Sequence, residues 1–206
     1  MKCIVTGHTS GVGQYLYEHF SKIGYDVLGM SRSNGYDISK DIEKIIIESN
    51  NCDLFINNAT SGKSQLNILR NLCTKVPRIV TIGSAGTDYL DILNNQYNLD
   101  KKELEDASRL ISSSSRDDLA KILLIKLSFA EETYSREKIN RINSDITISY
   151  KEIANVIDFW IDNFNITKVE FSVKLTDYTI NQIKTLTKNE IPINTLCNKI
   201  NDLILP

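Results

Sequence analysis

The sequence is poor in the residues on which several kinds of chemistry depend. It has two histidines and four cysteines, Cys3, Cys52, Cys73 and Cys197, which lie far apart with no C-x-x-C spacing. Neither a zinc site nor a disulfide framework follows from that pattern, so the cysteines read as reduced, mostly buried, small apolar side chains. Positive charge is not in excess either. A formal net charge of -2 at pH 7 removes the electrostatic case for binding nucleic acid or an anionic membrane surface. Long apolar runs are missing. The stretch 122–127 has Lys126 inside it and falls far below the roughly 18 to 20 residues that a membrane-spanning helix requires. Because Cys3, Ile4 and Val5 already read as a core strand, the start of the chain leaves no room for a cleaved signal peptide, and a cytoplasmic protein is expected.

What is present is an ordinary globular composition, 41% hydrophobic and 24% charged, in a chain that no linker interrupts. Residues 1–206 therefore read as one domain, with 172–206 as a tail packed on it. Short apolar runs at 2–6, 25–30, 36–38, 52–57, 78–83, 121–127 and 168–173 read as strands. They alternate with helix-like stretches at 12–23, 40–49, 64–75, 92–112 and 151–163, and a further helix is expected near 178–188. Val12, Leu16, His19, Phe20 and Ile23 fall on one stripe of the first helix, with Gly24 as its C-terminal cap. Strands as continuously apolar as VLGM, RIVTIG and ILLIKL suit a parallel sheet covered by helices on both faces.

Between the first strand and the first helix lies TGHTSGVG, residues 6–13. A glycine-rich turn there places free backbone N–H groups and the positive end of a helix dipole against a phosphate. In that reading Gly7 opens the turn, Gly11 lets a pyrophosphate approach and Gly13 lets the helix pack on the sheet. Thr9 and Ser10 add hydroxyls, and Val12 sits in the same loop. This is the fingerprint of a Rossmann-type, doubly wound, three-layer α/β/α fold that binds a dinucleotide. At the end of the second strand an enzyme preferring NAD is expected to carry an acidic residue. The chain instead has Ser31, Arg32 and Ser33, donors suited to a 2′-phosphate, which favours NADP over NAD. Asp37 can accept from the adenine amino group. Further on, Ser84 ends a strand, and Tyr97 and Lys101 stand at i and i+4 on a helix. Together the three form a proton-transfer site in which an ammonium favours the phenolate of a tyrosine whose ordinary pKa is about 10.

TGHTSGVG, then Asn57, Asn58 and Ala59, then Ser84, and Tyr97 with Lys101, in that order, resemble the short-chain dehydrogenase/reductase family over roughly residues 1–173. The resemblance implies that the glycine loop binds the cofactor pyrophosphate and that Asn58 and Ala59 support the central strand beside the adenosine ribose. It also implies that Ser84, Tyr97 and Lys101 transfer the proton, Lys101 contacting the nicotinamide ribose as well. Thr133 stands where the family often has a threonine near the nicotinamide carboxamide. The departures are that Thr60 replaces the glycine of NNAG, that Ser128 and Phe129 replace a Pro-Gly pair, and that the chain between Ala59 and Ser84 is short. Residues 31–37 leave no room for a helix between the second and third strands. Asn67 and Asn71 are the candidates for the family's fourth catalytic residue. The helix that carries it often helps build the family's dimer, so a homo-oligomer is possible here. Phe129 and Tyr134 are candidates for the substrate pocket, with Glu131 and Glu132 on a loop over it. His8 reads as a bystander in the glycine loop, while Tyr25 and Trp160 read as packing residues.

These readings converge on an NADP-dependent oxidoreductase interconverting a small-molecule carbonyl and its alcohol. The alternative is a catalytically silent NADP(H)-binding regulatory or interaction module of the same fold. A sugar-nucleotide epimerase or dehydratase is disfavoured, because such enzymes usually need a larger C-terminal substrate domain.

Overall fold

The computed structural model describes residues 1–91, 94–127, 148–163 and 166–171. Six strands, β1 (Lys2–Thr6), β2 (Asp26–Met30), β3 (Leu54–Asn57), β4 (Arg78–Ser84), β5 (Lys121–Leu127) and β6 (Lys168–Phe171), form one sheet in the order β2-β1-β3-β4-β5-β6. Every pairing in it is parallel. The helices among the described residues are α1 (Gly11–Lys22), α2 (Ile42–Ser49), α3 (Ser64–Leu72), α4 (Gln96–Ser112) and α5 (Tyr150–Asp162). None is long and apolar enough to cross a membrane.

Alternation along each strand sends apolar side chains to both faces of the sheet. Cys3, Val5, Leu54, Ile56, Val80 and Ile125 meet Leu16 and Phe20 of α1 and Ile153, Ile157 and Trp160 of α5. Ile4, Phe55, Ile79 and Ile122 point the other way, against Ile45 of α2, Leu66 and Leu69 of α3 and Leu104 of α4. The result is the three-layer Rossmann-type arrangement that nearly continuous apolar strands demand. His19 Nε2 lies 2.8 Å from Asp158 Oδ2, tying α1 to α5 on the outside of its layer. Cys3, Cys52 and Cys73 are free and buried. Burial pushes their thiols up, that of Cys52 to about 12.

The strand expected at 36–38 does not form. Ser31–Asn34 closes a 3₁₀ turn in which Asn34 Oδ1 accepts from Ser31 N–H at 2.8 Å, and Gly35 reverses the chain at φ +82°. The next amides bond locally, Asp37 N–H to Asp41 Oδ2 at 2.7 Å and Asp41 N–H to Asp37 O at 2.7 Å. Backbone donors committed to a turn cannot join a ladder, so β2 remains the edge strand and the chain passes straight into α2. The expected helix at 92–112 begins at Gln96, where Asn95 Oδ1 accepts from Asn98 N–H at 3.0 Å as the N-cap. The tail beyond 171, including Cys197 and the helix near 178–188, lies outside the described residues.

Candidate active site

The sheet order reverses between β1 and β3, and in such sheets ligands bind beyond the carboxyl ends of the strands at that point. Thr6 ends β1 there. Its hydroxyl accepts the N–H groups of Asn58 at 2.9 Å and Ala59 at 3.0 Å, while Asn58 Nδ2 donates to Thr6 O at 3.0 Å. Asn58 thus braces the two strand ends. Gly7 and Gly11 lie in the left-handed region at φ +73° and +56°, where glycine carries no steric penalty. Gly13 answers a packing need instead. A Cβ there would stand 2.2 Å from Gly7 O and 2.5 Å from Asn58 Nδ2. The Ser10 side chain does not cap α1, and no acidic residue stands in the first turn. The leading amides and the positive end of the dipole are left for an anion. Val12 turns its side chain into the core. His8 packs its ring over Gly29, where a Cβ would lie 2.3 Å away, and beside Tyr17.

Beside this loop opens a cleft of about 480 Å³ lined by Gly7, Thr9 and Ser10, by Ser31, Arg32, Ser33 and Asp37 beyond β2, and by Ala59 and Thr60 beyond β3. Arg32 is exposed at its rim. Ser39 donates its hydroxyl at 2.6 Å and its N–H at 2.9 Å to Asp37 Oδ1, holding that carboxyl below its ordinary value. The loop, the uncapped helix and this cleft fit a dinucleotide.

Ser84 ends β4 and opens the 3₁₀ turn Ala85–Tyr89. Gly86 N–H donates to Ser84 Oγ at 3.1 Å. A Cβ on Gly86 would come 2.6 Å from Asn98 Oδ1, so the bare glycine lets this turn press against the start of α4, beside Tyr97. The Ser84 side chain works to lower the Tyr97 phenol, while half of the residue stays exposed, at 50%. Lys101, one turn along, is buried at 4%. Its Nζ donates to Gln65 Oε1 at 2.6 Å, Ile82 O at 2.9 Å and Thr60 Oγ1 at 3.0 Å, and lies 5.6 Å from the centroid of the Tyr97 ring. Thr60, Gly62, Gln65, Tyr97, Asp100 and Lys101 line a second cleft of about 230 Å³.

Sequence reasoning expected Lys101 to lower the pKa of Tyr97, and the structure corrects this. Burial raises the phenol, the Ser84 side chain offsets only part of that rise, and burial alone brings Lys101 down to about 7. The ammonium faces neutral acceptors, so desolvation dominates both groups. Asn67 and Asn71 are exposed on α3, Asn71 Nδ2 donating to Asn67 O at 2.8 Å, and neither lines either of these two clefts. Gln65 reaches the lysine from that helix instead. Its Nε2 donates to Asn57 O at 2.7 Å and Ile82 O at 3.3 Å, which fixes Oε1 toward Lys101. No motif announces Gln65; a buried amide among apolar residues is its only signal.

A charged cluster behind Ser84 also escaped the sequence reading. Thr87 Oγ1 donates to Ser84 O at 2.9 Å and to Glu105 Oε2 at 2.8 Å. Lys126 Nζ bonds Asp88 and stands 3.3 Å from Glu105 Oε2. Burial pushes Glu105 up, but the Thr87 hydroxyl and the Lys126 ammonium outweigh it and hold the carboxyl at about 2. For Lys126 burial works downward, and the bonds to Asp88 and Glu105 reverse the sign, leaving it raised. The i, i+4, i+8 spacing of Tyr97, Lys101 and Glu105 was the available clue. Thr133, Ser128, Phe129, Glu131, Glu132 and Tyr134 lie outside the described residues.

No protein-family model matches the sequence, and no curated protein matches it. Solved structures do match it in fold. A bulky-bulky ketone specific alcohol dehydrogenase from Comamonas testosteroni superposes with a TM-score of 0.64 at 14% identity, over 93% of this chain and 95% of the other. UDP-N-acetylglucosamine 4-epimerase from Bacillus cereus gives 0.64 at 19% identity, over 92% and 84%. FolM alternative dihydrofolate reductase 1 from Brucella canis, in complex with NADP, gives 0.65 at 13% identity, over 85% and 96%. At such identities the likeness is one of fold, and that fold is the Rossmann-type one of short-chain dehydrogenase/reductase structures.

Proposed function

We propose that this chain is an NADP-dependent oxidoreductase that interconverts a small-molecule carbonyl and its alcohol, with Ser84, Tyr97 and Lys101 as its proton-transfer site. The observation that carries the reading is that Tyr97 and Lys101, 5.6 Å apart from ring centroid to Nζ, line one cleft that meets the cleft of the glycine loop at Thr60. Its fold neighbours include an alcohol dehydrogenase and an NADP-bound reductase. Gly7, Gly11 and Gly13 with Thr9 and Ser10 hold the pyrophosphate, and Ser31, Arg32 and Ser33 the 2′-phosphate. Asp37 and Ala59 flank the adenosine, and Lys101 and Thr133 serve the nicotinamide half. When bound, the nicotinamide supplies or accepts the hydride.

The chain's own residues handle the proton. Ser84 Oγ already accepts from Gly86 N–H, which leaves its own hydrogen free to turn toward a substrate oxygen or Tyr97. A phenol raised above its ordinary value keeps its proton at neutral pH, so in carbonyl reduction Tyr97 works as the acid that protonates the carbonyl oxygen, and in the reverse reaction its conjugate base takes that proton back. Replacing Tyr97 by Phe is expected to lower turnover of a carbonyl panel with NADPH by about a hundredfold or more while NADPH still binds. Unchanged turnover overturns the role of Tyr97.

A second reading, a silent NADP(H)-binding module, draws on the same geometry. Thr60, Gln65 and Ile82 take up the three protons of Lys101, and the phenol is raised rather than lowered. A wild-type protein that binds NADPH yet reduces no member of the panel decides for that module.

A further inference from the structure

Thr60 stands where the two clefts meet and lines both of them. Its hydroxyl accepts from Lys101 Nζ at 3.0 Å and donates to Gln65 Oε1 at 3.0 Å, closing a triangle of three polar groups. An ammonium has three protons to give. Those of Lys101 go to Thr60, Gln65 and Ile82 O, so any further acceptor must replace one of these partners. The three are not equally replaceable. Ile82 O belongs to the backbone of β4, and Gln65, 2% exposed, is pinned by its Nε2 donating to Asn57 O at 2.7 Å and by Asn57 Nδ2 donating to its main-chain O at 2.9 Å. Thr60 is exposed, and rotation about one bond turns its hydroxyl away. It is also an alcohol, the same chemical group as a ribose hydroxyl.

We propose that Thr60 is a positioning residue that competes with the dinucleotide for Lys101, so that its hydroxyl is exchanged for a hydroxyl of the nicotinamide ribose on binding. The inference rests on Lys101 serving the nicotinamide half, as argued above. The exchange weakens NADPH binding and leaves the adenosine half untouched.

The test compares dissociation constants, by calorimetry, of NADPH and of adenosine 2′,5′-bisphosphate, which lacks the nicotinamide ribose. Thr60→Val keeps the branched shape and removes the hydroxyl. It is expected to bind NADPH about fivefold tighter than wild type, the size of one modest hydrogen bond, with the bisphosphate unchanged. Thr60→Ser restores the hydroxyl and returns NADPH to the wild-type value, and Thr60→Ala gives the same sign as Val should the Val variant fold poorly. NADPH affinity that is unchanged or weaker in both Val and Ala variants, while wild type binds both ligands, overturns the role of Thr60 and spares the cofactor reading. A merely structural effect moves both ligands together, and that outcome also counts against it. If wild type binds neither ligand, the cofactor reading falls and this inference with it.

Discussion

Lys101 is the residue whose environment departs furthest from the sequence expectation. Its proton affinity falls to about 7 in the folded chain against an ordinary 10.5, because burial penalises the cation. Between those values the unfolded chain holds a proton that the folded chain has shed, so this site contributes more stability as pH rises through 7. Below 7 both states are charged and the cost of burying the ammonium is felt in full. The stability of wild type relative to Lys101→Met is therefore expected to climb from pH 6 to pH 9, by up to about 1.4 kcal/mol per pH unit. Urea melts across that range check it, and a flat difference removes the account. At the same scale Gly13 was legible, because only glycine tolerates a neighbouring carbonyl at that distance. Gln65 was not, since nothing in the order of residues says which helical amide will meet a lysine from another helix.

Among the elements, α4 does the most to assemble the site. One stripe of it carries Tyr97 to Ser84, Lys101 to Gln65 and Glu105 to the Thr87 turn, so the same rotation about the helix axis sets all three. Glu105, 4% exposed at its side chain, also lies 3.1 Å from Arg109 and 3.5 Å from Lys168 of β6. Removing one member of a buried charge cluster leaves the others under-compensated, so Glu105→Ala is expected to cost about 3 kcal/mol in urea unfolding at pH 7. A loss below about 1 kcal/mol would mean that the cluster is well hydrated. Among the described residues the helices and all strands but one were readable to within a few residues, because continuous apolar runs and a 3.6-residue stripe depend on local order. The strand at 36–38 misled for a physical reason: Tyr36 and Ile38 have strand-like side chains, but the turn at Gly35 commits the following amides elsewhere.

For the whole molecule, the reversal of strand order between β1 and β3 brings the glycine loop, the Arg32 rim and the Ala59–Thr60 bend around one cleft. If that cleft takes NADP in preference to NAD, NADPH at about 100 times its dissociation constant stabilises the fold by about 2.7 kcal/mol. Thermal melts are expected to shift by several degrees with NADPH, less with NADH at equal concentration, and Arg32→Ala erases the difference. Equal shifts in wild type remove the argument from Arg32. What the sequence determined by itself is the layered α/β architecture and the loop after β1, since both follow from neighbours along the chain: apolar continuity, helical periodicity and glycines at fixed spacing. Only the tertiary structure decided the electrostatics of the site. Whether Lys101 faces Tyr97 or a ring of neutral acceptors, and whether a phenol is raised or lowered, depends on desolvation and on partners drawn from distant segments, quantities that exist only once those segments have packed.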